Sequence, residues 1–173
     1  MKITLASLLT LFAFVAAVQA EDVTVKLTDV HMCCDECVHQ ANKAVANVKG
    51  VTAVPDKETD EITLTGPDTA TVQKAVDALV TGGFFGKSSD PRIAVIADTG
   101  ARNEKVQTLK VEGVHLCCGE CASAVGRAVK KTSGATGHTA KKNAKSFEVT
   151  GDFNQQEFFD ALHDKGLNGH VAK

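Results

Sequence analysis

The segment His31-Met32-Cys33-Cys34-Asp35-Glu36-Cys37 returns 84 positions later as His115-Leu116-Cys117-Cys118-Gly119-Glu120-Cys121. All six cysteines of the 173-residue chain lie in these two stretches. Each copy offers three thiols and one imidazole, set between a segment of strand periodicity and one of helical periodicity, residues 38–48 and 122–131. A soft ligand cluster therefore stands at each helix start. The exposed N–H groups and dipole there favour the thiolate, the form of cysteine that binds metal or attacks a disulfide.

Outward from the loops the repeat continues. Val23, Val25 and Leu27 alternate with polar residues as in a half-buried strand, and Leu109 and Val111 hold the matching positions of the second copy. Val38, Ala41, Val45 and Val48 recur at helical spacing, as do Ala122, Val125 and Val129, and glycines follow at Gly50 and Gly134. Two strand candidates come next in each copy, residues 51–54 and 61–65, then 136–138 and 146–150; the third strand of each copy closes on Thr-Gly. A second amphipathic helix carries Val72, Val76 and Leu79 in one copy and Phe158, Phe159 and Leu162 in the other. A last short strand is expected over residues 84–88 and 167–172.

The order strand, helix, strand, strand, helix, strand predicts an α+β fold: two tandem ferredoxin-like βαββαβ domains, each a four-stranded antiparallel sheet with both helices on one face. The expected divisions are a leader over residues 1–20, a first domain over 21–88, a linker over 89–103 and a second domain over 104–173. Residues 93–97 are an apolar run inside the linker, which reads either as an extra strand folded into a hairpin with the second domain or as an ordered linker with one edge strand.

The loop Met32-Cys33-Cys34-Asp35-Glu36-Cys37, between first strand and first helix, resembles the Gly-Met-x-Cys-x-x-Cys loop of heavy-metal-associated domains. That family includes copper chaperones and the N-terminal modules of copper-transporting ATPases, and the resemblance extends over most of both repeats. It implies that Cys34 and Cys37, and Cys118 and Cys121, are metal ligands, and that Met32 and Leu116 are buried loop anchors. This chain departs from the family in having His31 and His115 in place of the glycine and Cys33 and Cys117 at a variable position. The third thiol can complete a three-coordinate site, and His31 and His115 are candidate ligands beside it. Phe84 and Leu167, just after each second helix, stand where the family packs a residue beside the metal loop.

Thiolates in pairs and threes suit Cu(I) first, with Zn(II) or another thiophilic ion as the alternative. One ion per loop is expected, held for sequestration or for transfer with a metal donor or acceptor protein. Two other readings compete: a structural or interaction module with disulfide-stapled loops, and a thiol-disulfide redox protein. Three cysteines per loop count against simple stapling, since an odd thiol is left over unless it bonds between loops or chains.

Lys2 followed by an apolar stretch and Val18-Gln19-Ala20 reads as a secretory signal peptide, giving a secreted or periplasmic protein with no stable membrane insertion after cleavage. The formal net charge is −2, too small and too mixed for a nucleic-acid surface. No catalytic constellation stands out, and the chain is not expected to be an enzyme. Asp35, Glu36 and Glu120 read as ordinary first-turn acids, and Lys141, Lys142 and Lys145 as a solvated loop.

Overall fold

The structure is a computed structural model describing residues 21–173, so the expected leader lies outside the described residues. Strand β1 (Val23–Thr28) enters the first cysteine loop, followed by helix α1 (Asp35–Val45), strands β2 (Thr52–Asp56) and β3 (Glu61–Gly66), helix α2 (Thr69–Thr81) and strand β4 (Lys87–Ser88). The second half repeats the order with β5 (Lys105–Glu112), α3 (Gly119–Lys131), β6 (Ala135–His138), β7 (Ser146–Asn154), α4 (Gln155–His163) and β8 (His170–Val171). The sheets run β2-β3-β1-β4 and β6-β7-β5-β8, with antiparallel neighbours throughout. These are two ferredoxin-like α+β domains.

Alternation in the strands decides which face the helices cover. Val25 and Leu27 on β1 and Ile62 and Leu64 on β3 are buried, together with Cys37, Ala41 and Val45 of α1 and Val72, Val76 and Leu79 of α2. The opposite face carries Lys26, which donates to Glu61 across the strands at 2.8 Å. In the second domain Leu109, Val111, Phe147 and Val149 meet Val125, Val129, Phe158, Phe159 and Leu162, with Phe153 edge-on to Phe158. Burying each such side chain contributes roughly 1.5–3 kcal/mol, and this anchors the helices that carry the cysteines.

Several boundaries differ from expectation. Both cysteine-bearing helices begin ahead of their apolar periodicity, at Asp35 and Gly119, in keeping with the first-turn acids Asp35, Glu36 and Glu120, so the third cysteine of each loop lies in the first helical turn. Strand β7 does not end at Thr150-Gly151 but runs to Asn154, because Gly151 (φ +135°) carries the chain through an irregularity that a side chain would obstruct. The closing strands contract to two residues each. Residues 93–97 form no strand. Ile93 is buried, and the Ala94 backbone bonds to the Gln73 side chain, its N–H donating at 2.9 Å and its carbonyl accepting at 2.7 Å, so a side chain of α2 replaces a ladder. The connection is also fixed at its ends, where Ser89 N–H donates to Lys26 and Val171 N–H donates to Thr99.

The two domains meet through equivalent turns after α2 and α4. Phe84 and Leu167 form a single antiparallel bridge, Asn168 N–H donates to Gly83 at 2.8 Å, and Phe85 N–H donates to Gly166 at 3.0 Å. Gly83 (φ +90°) lies against Gly113 O and His115 N, while Gly166 (φ +71°) lies against Asp29 O and His31 N. The same contact is thus made twice, once in each direction, and each turn supports the cysteine loop of the other domain.

Candidate metal centre

Each cysteine loop leaves its strand through a left-handed residue, Asp29 (φ 59°) in one domain and Gly113 (φ 78°) in the other. Met32 and Leu116 are buried and pin the loops to their cores. The neighbouring hairpins hold them from the other side. Val30 N–H donates to Asp60 O and Met32 N–H to the Asp60 carboxylate in the first domain, while Asn143 N–H donates to Leu116 O at 2.7 Å in the second.

Cys34 and Cys118 are the N-cap residues of α1 and α3, and neither makes a side-chain capping bond. The other two helices are capped conventionally, by Asp68 and Asn154. Free first-turn N–H groups at the cysteine helices leave that partial positive charge available to a thiolate.

The loops do not form two separate sites. All six sulfurs converge where the domains meet, and all six cysteines are free thiols. Within a loop Cys34 Sγ is 3.7 Å from Cys37 Sγ, and Cys118 Sγ is 3.7 Å from Cys121 Sγ. Across the domains Cys33 Sγ is 3.2 Å from Cys118 and 3.7 Å from Cys121, while Cys117 Sγ is 3.6 Å from Cys34 and 3.5 Å from Cys37. Cys33 and Cys37, and Cys117 and Cys121, close the group at 3.6 Å. Cys37 and Cys121 are fully buried, and the other four are half-buried. The two loops, expected to stand apart, share one cluster of sulfurs, because the α2 and α4 turns dock each domain on the loop of the other.

His31 and His115 flank the sulfurs. Candidate ligand atoms of His115, Cys37, Cys117 and Cys121 all lie within 4.8 Å of one another, as do those of His31, Cys33 and Cys121. The Nε2 atoms of both histidines are buried without a hydrogen-bond partner, an arrangement that costs free energy unless an ion or another group satisfies them. Phe84 stacks on His115 with centroids 4.7 Å apart. It therefore reaches the second domain's loop rather than only its own.

The electrostatics favour a cation. Two unit charges about 3.5 Å apart repel by roughly 5 kcal/mol at an effective dielectric of about 20, so six sulfurs at this spacing cannot all ionise unaided. Burial pushes the Cys33 and Cys117 thiols far above their usual range. The adjoining Cys37 sulfur, and then burial, push Cys121 up. Burial, with a smaller contribution from His31, lowers His115, which keeps its imidazole neutral. A neutral His115 imidazole beside thiols whose charge needs a counterion gives a soft donor set that can hold a metal ion.

No protein-family model matches the chain, and no curated protein matches it. Among solved structures it is similar to the N-terminal soluble domains of Bacillus subtilis CopA, at 15% identity and a TM-score of 0.32 over 88% of this chain and 95% of that one. It is also similar to the first two RRM domains of the yeast poly(U)-binding protein Pub1, at 12% identity and a TM-score of 0.24 over 87% and 99%. Nothing about the ligand of this chain follows from either likeness.

A cleft of about 930 Å³ opens beside the centre, lined by Cys34, Cys117 and Cys118 and by Lys142 and Lys145. The basic loop, read from sequence as solvated surface, thus borders the sulfurs. A second opening of about 480 Å³ reaches His31 and Cys33 between Lys57 and Arg127. Sequence reasoning named the six cysteines and two histidines but missed Asp60, Asn143, Gly83 and Gly166, which position them. The glycines stand one residue before Phe84 and Leu167, which marks a turn but not the backbone they approach.

Proposed function

We propose that this protein binds thiophilic metal ions outside the cytoplasm, Cu(I) foremost, for sequestration or for transfer with a donor or acceptor protein, and that it is not an enzyme. The observation that carries this reading is the convergence of six free thiols at 3.2–3.7 Å on two uncapped helix starts. Three thiolates held about 2.3 Å from one ion stand roughly 4 Å apart, so only small movements separate this arrangement from a coordinated one. Soft sulfur donors and low coordination suit Cu(I), and the flanking imidazoles extend the set to Zn(II). The extracytoplasmic address rests on the leader-like residues 1–20. The two openings give an incoming thiolate or imidazole a route to the sulfurs, which ligand exchange with a partner requires.

A second reading has its own observation. Cys33 and Cys118 approach to 3.2 Å across the domains, so the thiol left over in each loop has a partner in the other. An oxidising compartment would then close interdomain disulfides and make the protein a stapled interaction module.

One experiment separates the two. Free thiols are counted in protein isolated from its own compartment without reductant, and Cu(I) is then titrated against a chromophoric chelator. Thiols free or masked by metal, with tight Cu(I) uptake, are the expected result. Two or fewer thiols, with no uptake until reductant is added, would replace metal binding by the disulfide reading.

A further inference from the structure

Cys33 and Cys34 are adjacent in sequence, and the backbone at Cys34 is extended, with φ −163° and ψ 169°. Cys118 is extended likewise, with φ −144° and ψ 177°. Successive side chains on extended backbone point to opposite sides, so the first cysteine of each pair is turned away from the second. Distances show where each goes. Cys33 joins Cys118 and Cys121 in a triangle with edges of 3.2, 3.7 and 3.7 Å. Cys117 joins Cys34 and Cys37 in a triangle with edges of 3.6, 3.5 and 3.7 Å. Every sulfur is used once, and each triangle holds two sulfurs from one domain and one from the other.

Resting on the metal-binding reading, we propose that the protein carries two three-thiolate Cu(I) seats with exchanged third ligands, Cys117 completing Cys34 and Cys37 and Cys33 completing Cys118 and Cys121. A seat of this kind exists only when both domains are docked. The seats adjoin through Cys33 and Cys37 and through Cys117 and Cys121, both at 3.6 Å, so two bound ions would be close neighbours. His31 lies beside Cys33 and Cys121, and His115 beside Cys37, Cys117 and Cys121, so each imidazole adjoins sulfurs of both domains.

The test uses the full chain under reductant. In the Cys34→Ser/Cys37→Ser background one seat remains, and Cu(I) competition with a chromophoric chelator should give one ion per chain. Adding Cys33→Ser should weaken that ion at least tenfold and lower its sulfur coordination, read by X-ray absorption, from three to two. Adding Cys117→Ser instead should leave affinity within about threefold and coordination at three. The reciprocal background, Cys118→Ser/Cys121→Ser, should reverse the roles of Cys33 and Cys117 and guards against a variant that fails to fold; circular dichroism checks each chain. Loss on Cys117→Ser rather than Cys33→Ser in the first background, or equal loss on both, overturns the exchanged-ligand assignment while leaving metal binding intact. Absence of Cu(I) uptake by the unmutated chain would instead overturn the metal-binding reading on which it rests.

Discussion

Gly166 shows how much of the centre depends on atoms that are not ligands. A Cβ there would lie 2.3 Å from His31 N and 2.5 Å from Asp29 O, both backbone atoms with little freedom to retreat, and the residue holds φ +71°. Gly166→Ala should destabilise the metal-free protein by about 2–4 kcal/mol, from left-handed strain plus a clash at the domain contact. Gly100→Ala supplies the comparison: its φ is +63°, but the nearest atom is Val171 Cβ at 3.9 Å, and strain alone should cost roughly 1 kcal/mol. Urea denaturation of both variants under reductant measures the difference, and equal costs would show that the close approach at Gly166 is relieved elsewhere. The eight candidate ligands were legible because cysteine and histidine announce their chemistry and the loops repeat. Glycines announce only permissiveness, and nothing in Gly83 or Gly166 says which backbone comes close.

At the scale of elements, the helices divide by how they begin. The α4 start is satisfied by Asn154, whose side chain accepts from the N–H groups of Gln156 and Glu157, whereas α1 and α3 start on cysteines that cap nothing. A serine at either cysteine position is a far better cap. Cys118→Ser should therefore raise the stability of the metal-free protein by about 0.5–1 kcal/mol while weakening Cu(I) binding. A shift of the urea midpoint upward, together with loss in chelator competition, would show stability given up for ligation; a downward shift would show that the sulfur's packing matters more than the cap. Element type and order were legible from period-2 and period-3.6 patterns. Boundaries were less so at β7, because Thr-Gly reads as a strand end in both copies and only the register at Gly151 shows that one copy continues. The 93–97 run has the composition of a strand, yet Gln73 meets the backbone polar groups of Ala94, and no local pattern signals a partner 21 residues away.

For the whole molecule, the sequence left open how two equivalent domains would face each other, since amphipathic patterns report that a face is buried but not against what. The domain contact carries a titratable group of its own. His163 stacks on Phe85 with centroids 3.8 Å apart and shares a 3.0 Å hydrogen bond between its Nε2 and Asn168 Oδ1. Burial holds its pKa below the ordinary value of 6.5, although the Asn168 bond, Asp160 and Asp164 oppose the shift. The unfolded chain therefore takes up this proton first as pH falls. The stabilisation is complete above about pH 6.5, is lost as pH drops through that value, and levels off below the folded pKa. The apparent Tm of the metal-free protein should decline between pH 7 and 5, and His163→Gln should flatten part of that slope; an unchanged slope would exclude His163 as its source. The docked connection over residues 89–103 has a consequence for dilution. Two separate chains contributing these loops would have to find each other at whatever concentration prevailed. Tethering sets the local concentration of one half around the other at the order of millimolar, so the sulfurs stay assembled in nanomolar protein as in micromolar. Assembly of the six sulfurs therefore does not depend on how thinly the protein is spread.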